Sequence, residues 1–229
     1  KIKKNDIILY GDQGRVPLNL HIFSNMKIAF HIDTYVGTEY KIEKALLFDL
    51  NIVFHPDFDI LFDKKGIGNT LVLPHAIEID KIVDDIQQIR NYEIAFVGDT
   101  KRKQYSIRKK HVNAIKSCFK INNTDKFYPY DEMLKLYQES HCTLNIPRNE
   151  YLIDANLRAF EAMGSGSVLI NYWPSELDKI GFEPDVDYLS FQNEEELREK
   201  LSHLLKNPFE LEKIRANGYL KTKNNHTYD

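Results

Sequence analysis

Asn156-Leu-Arg-Ala-Phe-Glu-Ala-Met-Gly-Ser-Gly-Ser-Val-Leu-Ile-Asn171 reads as a short helix, a glycine stop and a buried strand. Leu157 and Phe160 share one helix face, while Arg158 and Glu161, also three apart, share another. Gly164 and Gly166 end the helix and turn the chain tightly. The run from Ser167 to Ile170 has the near-continuous apolar character of a strand covered on both faces. In an open parallel sheet such a helix starts at the carboxyl ends of the strands, where ligands bind. Its N-terminus carries partial positive charge and unpaired N–H groups that suit a phosphate. Arg158 then offers a fork for phosphate oxygens, and Glu161 an acceptor for sugar hydroxyls.

Working outward, the spacing predicts further strands at 93–97, 126–130, 142–146 and 188–191. Helices are predicted at 106–119, at 131–140 with Asp131 as cap, at 194–206, and at 208–217 with Pro208 at its start and Gly218 as its stop. Upstream, apolar runs at 6–10, 27–30, 51–54 and 70–73 read as strands, with helices at 38–50, capped by Thr38, and at 58–65 between them. Strands alternating with helices argue for parallel α/β units. The charged stretch 78–91 carries no strand pattern and is the expected connection. It divides a smaller N-terminal domain, 1–90, from a C-terminal domain, 91–229.

A chain of 229 residues can bury a sizeable core. Its net charge of −3 is spread evenly: residues 1–90 hold 11 Lys+Arg against 13 Asp+Glu, leaving 20 against 21 of the totals 31 and 34. There is no basic field of the kind nucleic-acid binding needs, so nucleic acid is not an expected partner. No apolar run approaches the roughly 18 residues of a membrane span. The first residues lack a small-residue cleavage site and so read as no signal peptide, which points to the cytoplasm, and the absence of an initiating Met fits a start within a longer protein. Cys118 and Cys142 have neither disulfide-scaffold nor zinc spacing and are expected as buried free thiols. Cys142 and its neighbour His141 would point to opposite faces of a strand, which excludes them as a nucleophile–base pair.

Asn156-x-Arg158-x-Phe160-Glu161-Ala162-Met163-x-x-Gly166 resembles the donor-site segment of GT-B glycosyltransferases of the group 1 type, and within it the spore-maturation branch. The resemblance extends over the whole C-terminal part. It takes in the Tyr-x-Ile-Ala-Phe-Val-Gly run from Tyr92 to Gly98, Tyr130-x-Glu132-Met133, Glu195-Glu196-Leu197, Ile214, Gly218 and His226-Thr227-Tyr228. What it implies is two Rossmann-like parallel-sheet domains with a cleft between them, the first shorter than is usual in the family. It also implies transfer of a sugar, hexosyl or related, from a UDP- or GDP-sugar to an acceptor that is a glycan, a protein or a small molecule. Such enzymes generally stabilise the departing diphosphate with basic side chains and helix ends, so no metal and no resident cofactor is expected. The Asp57-x-Asp59 pair reads as carboxylates at a helix start rather than as metal ligands.

By the same resemblance Arg158 takes the diphosphate and Glu161 holds ribose or sugar hydroxyls, Glu161 matching the second glutamate of the family's two-glutamate motif. The first would fall at Ile153, where it is missing, with Asp154 and Asn156 nearby. Asn156 suits a helix cap and a donor ligand equally. Gly98 lets the backbone approach a ligand, and the basic loop after it brings Arg102 or Lys103 to phosphate or simply into solvent. Tyr130 fits stacking on the base or core packing, and Asn145 closes a strand on the same rim. In the N-terminal part, His31 and Asp33 alternate onto one side of a strand end. Either suits a general base toward an acceptor hydroxyl, or a polar strand end satisfied by its neighbours. The missing glutamate and the short first domain favour the alternative, a catalytically inactive protein that binds a nucleotide or a glycan.

Overall fold

The computed structural model describes residues 3–11, 19–86 and 89–228. Lys1 and Ile2, and Gln87 and Gln88 of the expected connection, lie outside them. The chain divides into two compact units, Lys1–Pro74 and His75–Asp229.

The first unit holds a four-stranded parallel sheet in the order β1 (Ile8–Gly11), β2 (Lys27–His31), β3 (Leu50–Val53), β4 (Thr70–Val72). Helices α1 (Thr38–Ala45) and α2 (Pro56–Lys64) make the crossovers after β2 and β3. Ile42, Ala45, Val53, Phe62 and Ile67 form one apolar cluster, and Tyr10, Leu20, Ala29 and Phe48 another. The cap of α1 is Gly37 rather than Thr38, whose hydroxyl donates to the carbonyl of Thr34 at 2.9 Å.

The second unit opens with β5 (Ile77–Glu78). Its central sheet is parallel throughout, in the order β6 (Tyr92–Ala95), β7 (Ser140–Asn145), β8 (Val168–Tyr172), β9 (Leu189–Phe191). Helices α3 (Ser106–Lys116) and α4 (Tyr130–Gln138) lie between β6 and β7, and α5 (Leu157–Gly164) lies between β7 and β8. After β9 come α6 (Glu194–Lys206), α7 (Pro208–Asn225) and a short strand, β10 (Thr227–Tyr228), which pairs with β5. The apolar runs are explained by burial on both faces. Ile94, Leu144, Val168 and Ile170 enter a core shared with Val112, Leu197 and Leu201. Ala95 and Leu169 enter the other, with Met133, Tyr137, Ala159 and Phe160. Among the described residues no helix is long and apolar enough to cross a membrane.

Three further expectations are corrected. The division falls after Pro74, not at 90/91, because residues 75–86 are built into the second unit. Ile77 and Glu78 pair with Thr227 and Tyr228, the Val83 amide donates to the Gly164 carbonyl at 3.1 Å, and the Tyr219 hydroxyl donates to the Val83 carbonyl at 2.5 Å. Residues 126–130 are not a strand. Pro129 caps α4, Tyr130 is that helix's first residue, and it is Ile121, upstream of this run, that bridges to Ile94 of β6. Gly218 does not stop α7, which runs on to Asn225. A Cβ at Gly218 would stand 2.4 Å from the carbonyl oxygen of Asp187 and 3.1 Å from Met163 Sδ, so glycine serves close approach there. By contrast Gly166, at φ +73°, turns the chain after α5 in a conformation that favours glycine.

Candidate functional site

The carboxyl edge of the second-unit sheet bears a cavity of about 390 Å³. One wall is the chain leaving β6, residues 97–101; the other is the loop 124–128 that precedes α4; Met133 and Arg158 complete it. The position follows from the parallel sheet, whose strand ends and crossover helices leave a hollow at the carboxyl side.

Arg158 lies in the first turn of α5. Asn156 caps this helix: its side-chain oxygen accepts from the Arg158 amide at 3.2 Å, so the capping use of Asn156 is realised. Residues from Ala159 to Gly164 are all buried, because α5 is enclosed by α4, α7, β8 and β5. The expected polar face is therefore an interior one. Arg158 Nε is buried with no hydrogen-bond partner among the described residues. Burial works against its charge, but Tyr137 and Glu161 more than offset this and hold its pKa above the ordinary value.

Glu161 is 4% exposed and is not on the cavity wall. Burial pushes its carboxyl above the usual range, and the Arg158 charge pulls it back only in part. The buried Tyr137 hydroxyl is pushed up to about 12, chiefly by desolvation. Tyr130, 40% exposed at the start of α4, is also raised to about 12 by burial and by the charges of Glu161, Glu78, Asp80 and Asp131. These side chains form one electrostatic group at α5 and α4, of which Arg158 alone lines the cavity.

Gly98 lies on the cavity wall, and a Cβ there would come within 3.0 Å of the Arg108 guanidinium. Arg102 is ion-paired with Asp99, which also accepts the Lys101 amide at 2.7 Å. These contacts, the Arg102 one foremost, hold the Asp99 carboxyl below its usual range. Arg102 is exposed and does not line the cavity; Lys101 does. Lys103 begins a short 3-10 turn and borders a separate hollow with Asn149 and Glu150. Asn145, 1% exposed at the end of β7, donates to Asn171 at 2.8 Å, and its own side-chain oxygen has no partner among the described residues.

Of the lining residues only Gly98 and Arg158 are sequence-based candidates; two of the others stand out. Thr124 is buried with no hydrogen-bond partner for its hydroxyl among the described residues, and Phe127 is 84% exposed on the rim. The Asn122-Asn-Thr-Asp125 cluster is a turn signal that marks this loop, but the aromatic run after it imitates a strand.

In the first unit, His31 and Asp33 do not share a side. β2 ends at His31, and strand alternation ends with it. The His31 ring is fully buried and lies 2.9 Å from the Asn51 side-chain oxygen, whereas Asp33 sits in an exposed turn at φ 47° and accepts from the Tyr35 hydroxyl at 3.2 Å. Both cysteines are free, but only Cys142 is buried, its thiol pushed up to about 12 by desolvation; Cys118 is exposed because it follows the end of α3.

The sequence profile described as "Glycosyl transferase-like" matches residues 80–229. No curated protein matches the chain by sequence. Among solved structures the chain is similar to TarM, at 12% identity and a TM-score of 0.73 over 99% of this chain and 53% of that one. It is similar to the α,α-trehalose-phosphate synthase (UDP-forming) from Burkholderia vietnamiensis, at 12% identity and 0.70 over 98% and 69%. It is also similar to Anabaena HepE in complex with UDP, at 10% identity and 0.66 over 90% and 70%. These likenesses are of fold, and the chain spans about half the length of TarM.

Proposed function

Because this chain belongs to the glycosyl transferase-like family, we propose that its second unit binds the nucleotide-diphosphate part of a sugar donor and supports transfer of that sugar, hexosyl or related, to an acceptor. One observation carries the reading: Arg158 forms part of the cavity wall with a buried Nε that has no protein partner among the described residues. A charged, desolvated guanidinium with an unused donor is matched by the oxygens of a diphosphate. HepE holds UDP on a related fold, which favours a uridine donor, with GDP as the other candidate.

In the proposed reaction the bond from the sugar's anomeric carbon to the diphosphate breaks, and negative charge builds on the departing phosphate. Arg158 and the loop at residues 98–101 border that charge, with the Lys101 amide already given to Asp99, and the positive end of α5 adds to the stabilisation. Lys101 replaces Arg102 and Lys103 as the basic residue of the loop that borders the cavity. Glu161 lies off the cavity wall, so its proposed contact with ribose or sugar hydroxyls, made in its ionised form, requires the donor to reach past the lining residues. The loop 124–128, exposed at 125–127, flanks the base, one of the two uses the sequence offered for Tyr130. On the acceptor side we retain Asp33 as the candidate base; His31 is committed to the interior of the first unit. This charge stabilisation uses protein groups, so turnover should be the same with and without a chelator.

Donor hydrolysis and transfer, assayed with a panel of UDP- and GDP-sugars, test the reading. Arg158→Ala should lower kcat/KM by roughly 10²–10³-fold, the scale of losing one preorganised charge donor. Glu161→Ala should do the same while the chain stays folded by circular dichroism. Tight nucleotide binding without hydrolysis or transfer would instead identify a catalytically inactive nucleotide-binding member of the family.

A further inference from the structure

Arg108 has no role in the proposed chemistry, yet its guanidinium is engaged on several sides beside the cavity. It lies on α3 and is only 6% exposed. Its Nε donates to the Ile146 carbonyl at 2.8 Å, just past the end of β7. Its NH1 donates to the Asp99 carbonyl at 3.2 Å, in the loop that follows β6. The guanidinium sits over the Tyr105 ring, 4.2 Å from its centroid. The same fork lies against Gly98, where even a methyl group would come within 3.0 Å of NH1.

We infer that Arg108 is a positioning residue for the donor site: its fork ties the chain leaving β6 to the chain leaving β7 and so sets the cavity wall at residues 98–101. The inference rests on the reading of that cavity as the diphosphate site. Three features carry it. The two carbonyls belong to different strand ends, so one rigid group fixes their separation. A planar fork with several fixed donors does this where a lysine ammonium would not. Gly98 leaves the space the fork occupies, so the wall and the arginine fit each other. A second effect adds to the first, since Arg108 and Arg158 both bear on the Tyr137 hydroxyl, which places Arg108 within electrostatic reach of the group around Arg158.

The test is a double-mutant cycle on the full chain, read by calorimetry with UDP and with uridine. Arg108→Lys and Gly98→Ala should each weaken UDP binding by about tenfold, the equivalent of one charged hydrogen bond. Uridine binding should change little, because the wall faces the phosphates. Within the cycle, Gly98→Ala should cost markedly less in an Arg108→Ala background than in the wild type, because the methyl then meets no guanidinium. Hydrogen exchange in the unliganded variants gives a ligand-free readout: amides at 99–101 should exchange faster in Arg108→Lys while those of β7 and β8 keep their protection. Equal loss of UDP and uridine binding, or additive effects of the two substitutions, would overturn the inference and leave Arg108 as a core residue only. Wild-type protein that bound neither UDP nor GDP would remove the donor-site reading, and this inference with it. UDP binding that persists unchanged in Arg108→Lys would overturn this inference alone.

Discussion

Arg158 and Glu161 stand three residues apart on a helix that is enclosed on nearly every side, and that enclosure sets their chemistry. The pair was legible in the sequence because i, i+3 spacing fixes a shared face whatever surrounds it. Its burial was not, because a polar face on paper looks the same against solvent or against another helix. The loop after β6 shows a sharper limit. Glycine followed by basic residues pointed to phosphate, but which lysine or arginine borders the cavity depends on loop dihedrals, and Asp99 draws Arg102 away. Glu161 gives a pH prediction. Its carboxyl is raised by burial, with Arg158 opposing. The folded state therefore favours the protonated form. That contribution to stability is present below the ordinary carboxylate pKa and is lost as pH rises through the raised folded value. Glu161→Gln should thus raise the melting temperature at neutral pH while weakening donor binding. Wild-type affinity for the donor should fall as pH drops through the carboxyl's raised pKa, and the glutamine variant should lack that acid limb. An unchanged acid limb in the variant, followed by calorimetry across pH, would rule out the carboxylate as the acceptor.

At the scale of elements, most of the parallel sheet could be read from apolar runs, since strands buried on both faces have no polar alternation to hide them. β8 shows this plainly: Val168 and Ile170 feed one core and Leu169 the other. The run at 126–130 failed for a specific reason. Its aromatic residues favour strands, but Pro129 initiates α4 and leaves the segment as a cavity wall. β5 and β10, two residues each, are too short to carry any pattern. The end of α7 was missed because a helical glycine normally signals a stop, whereas Gly218 admits the Asp187 carbonyl. Gly218→Ala should therefore destabilise the second unit by about 1–3 kcal/mol, as overpacking does, despite alanine's better helix propensity. Thermal or urea unfolding reads this directly, and a stabilised variant would show that the contact yields at no cost.

For the whole molecule, the organising fact is that residues 75–86 belong to the second unit through β5, the Val83 contacts and the Ile77 and Ile82 side chains, both within 3 Å of where a Gly164 Cβ would sit. The charge of that stretch reads as a linker, but its isoleucines are core. A fragment of residues 75–229 should accordingly fold alone and keep nucleotide affinity within about threefold of the full chain. A fragment of residues 91–229 should be aggregated or molten by near-ultraviolet dichroism, having lost a strand and the cover over α5. Equal stability of the two fragments would contradict the assignment. Donor binding should centre on the cavity at the carboxyl edge of the second sheet, and a crystal structure of the chain with UDP tests this most directly. The diphosphate should lie within hydrogen-bonding distance of the Arg158 guanidinium and of the loop at residues 98–100, with the base against residues 124–128. A diphosphate bound elsewhere, with Arg158 still unliganded, would contradict it.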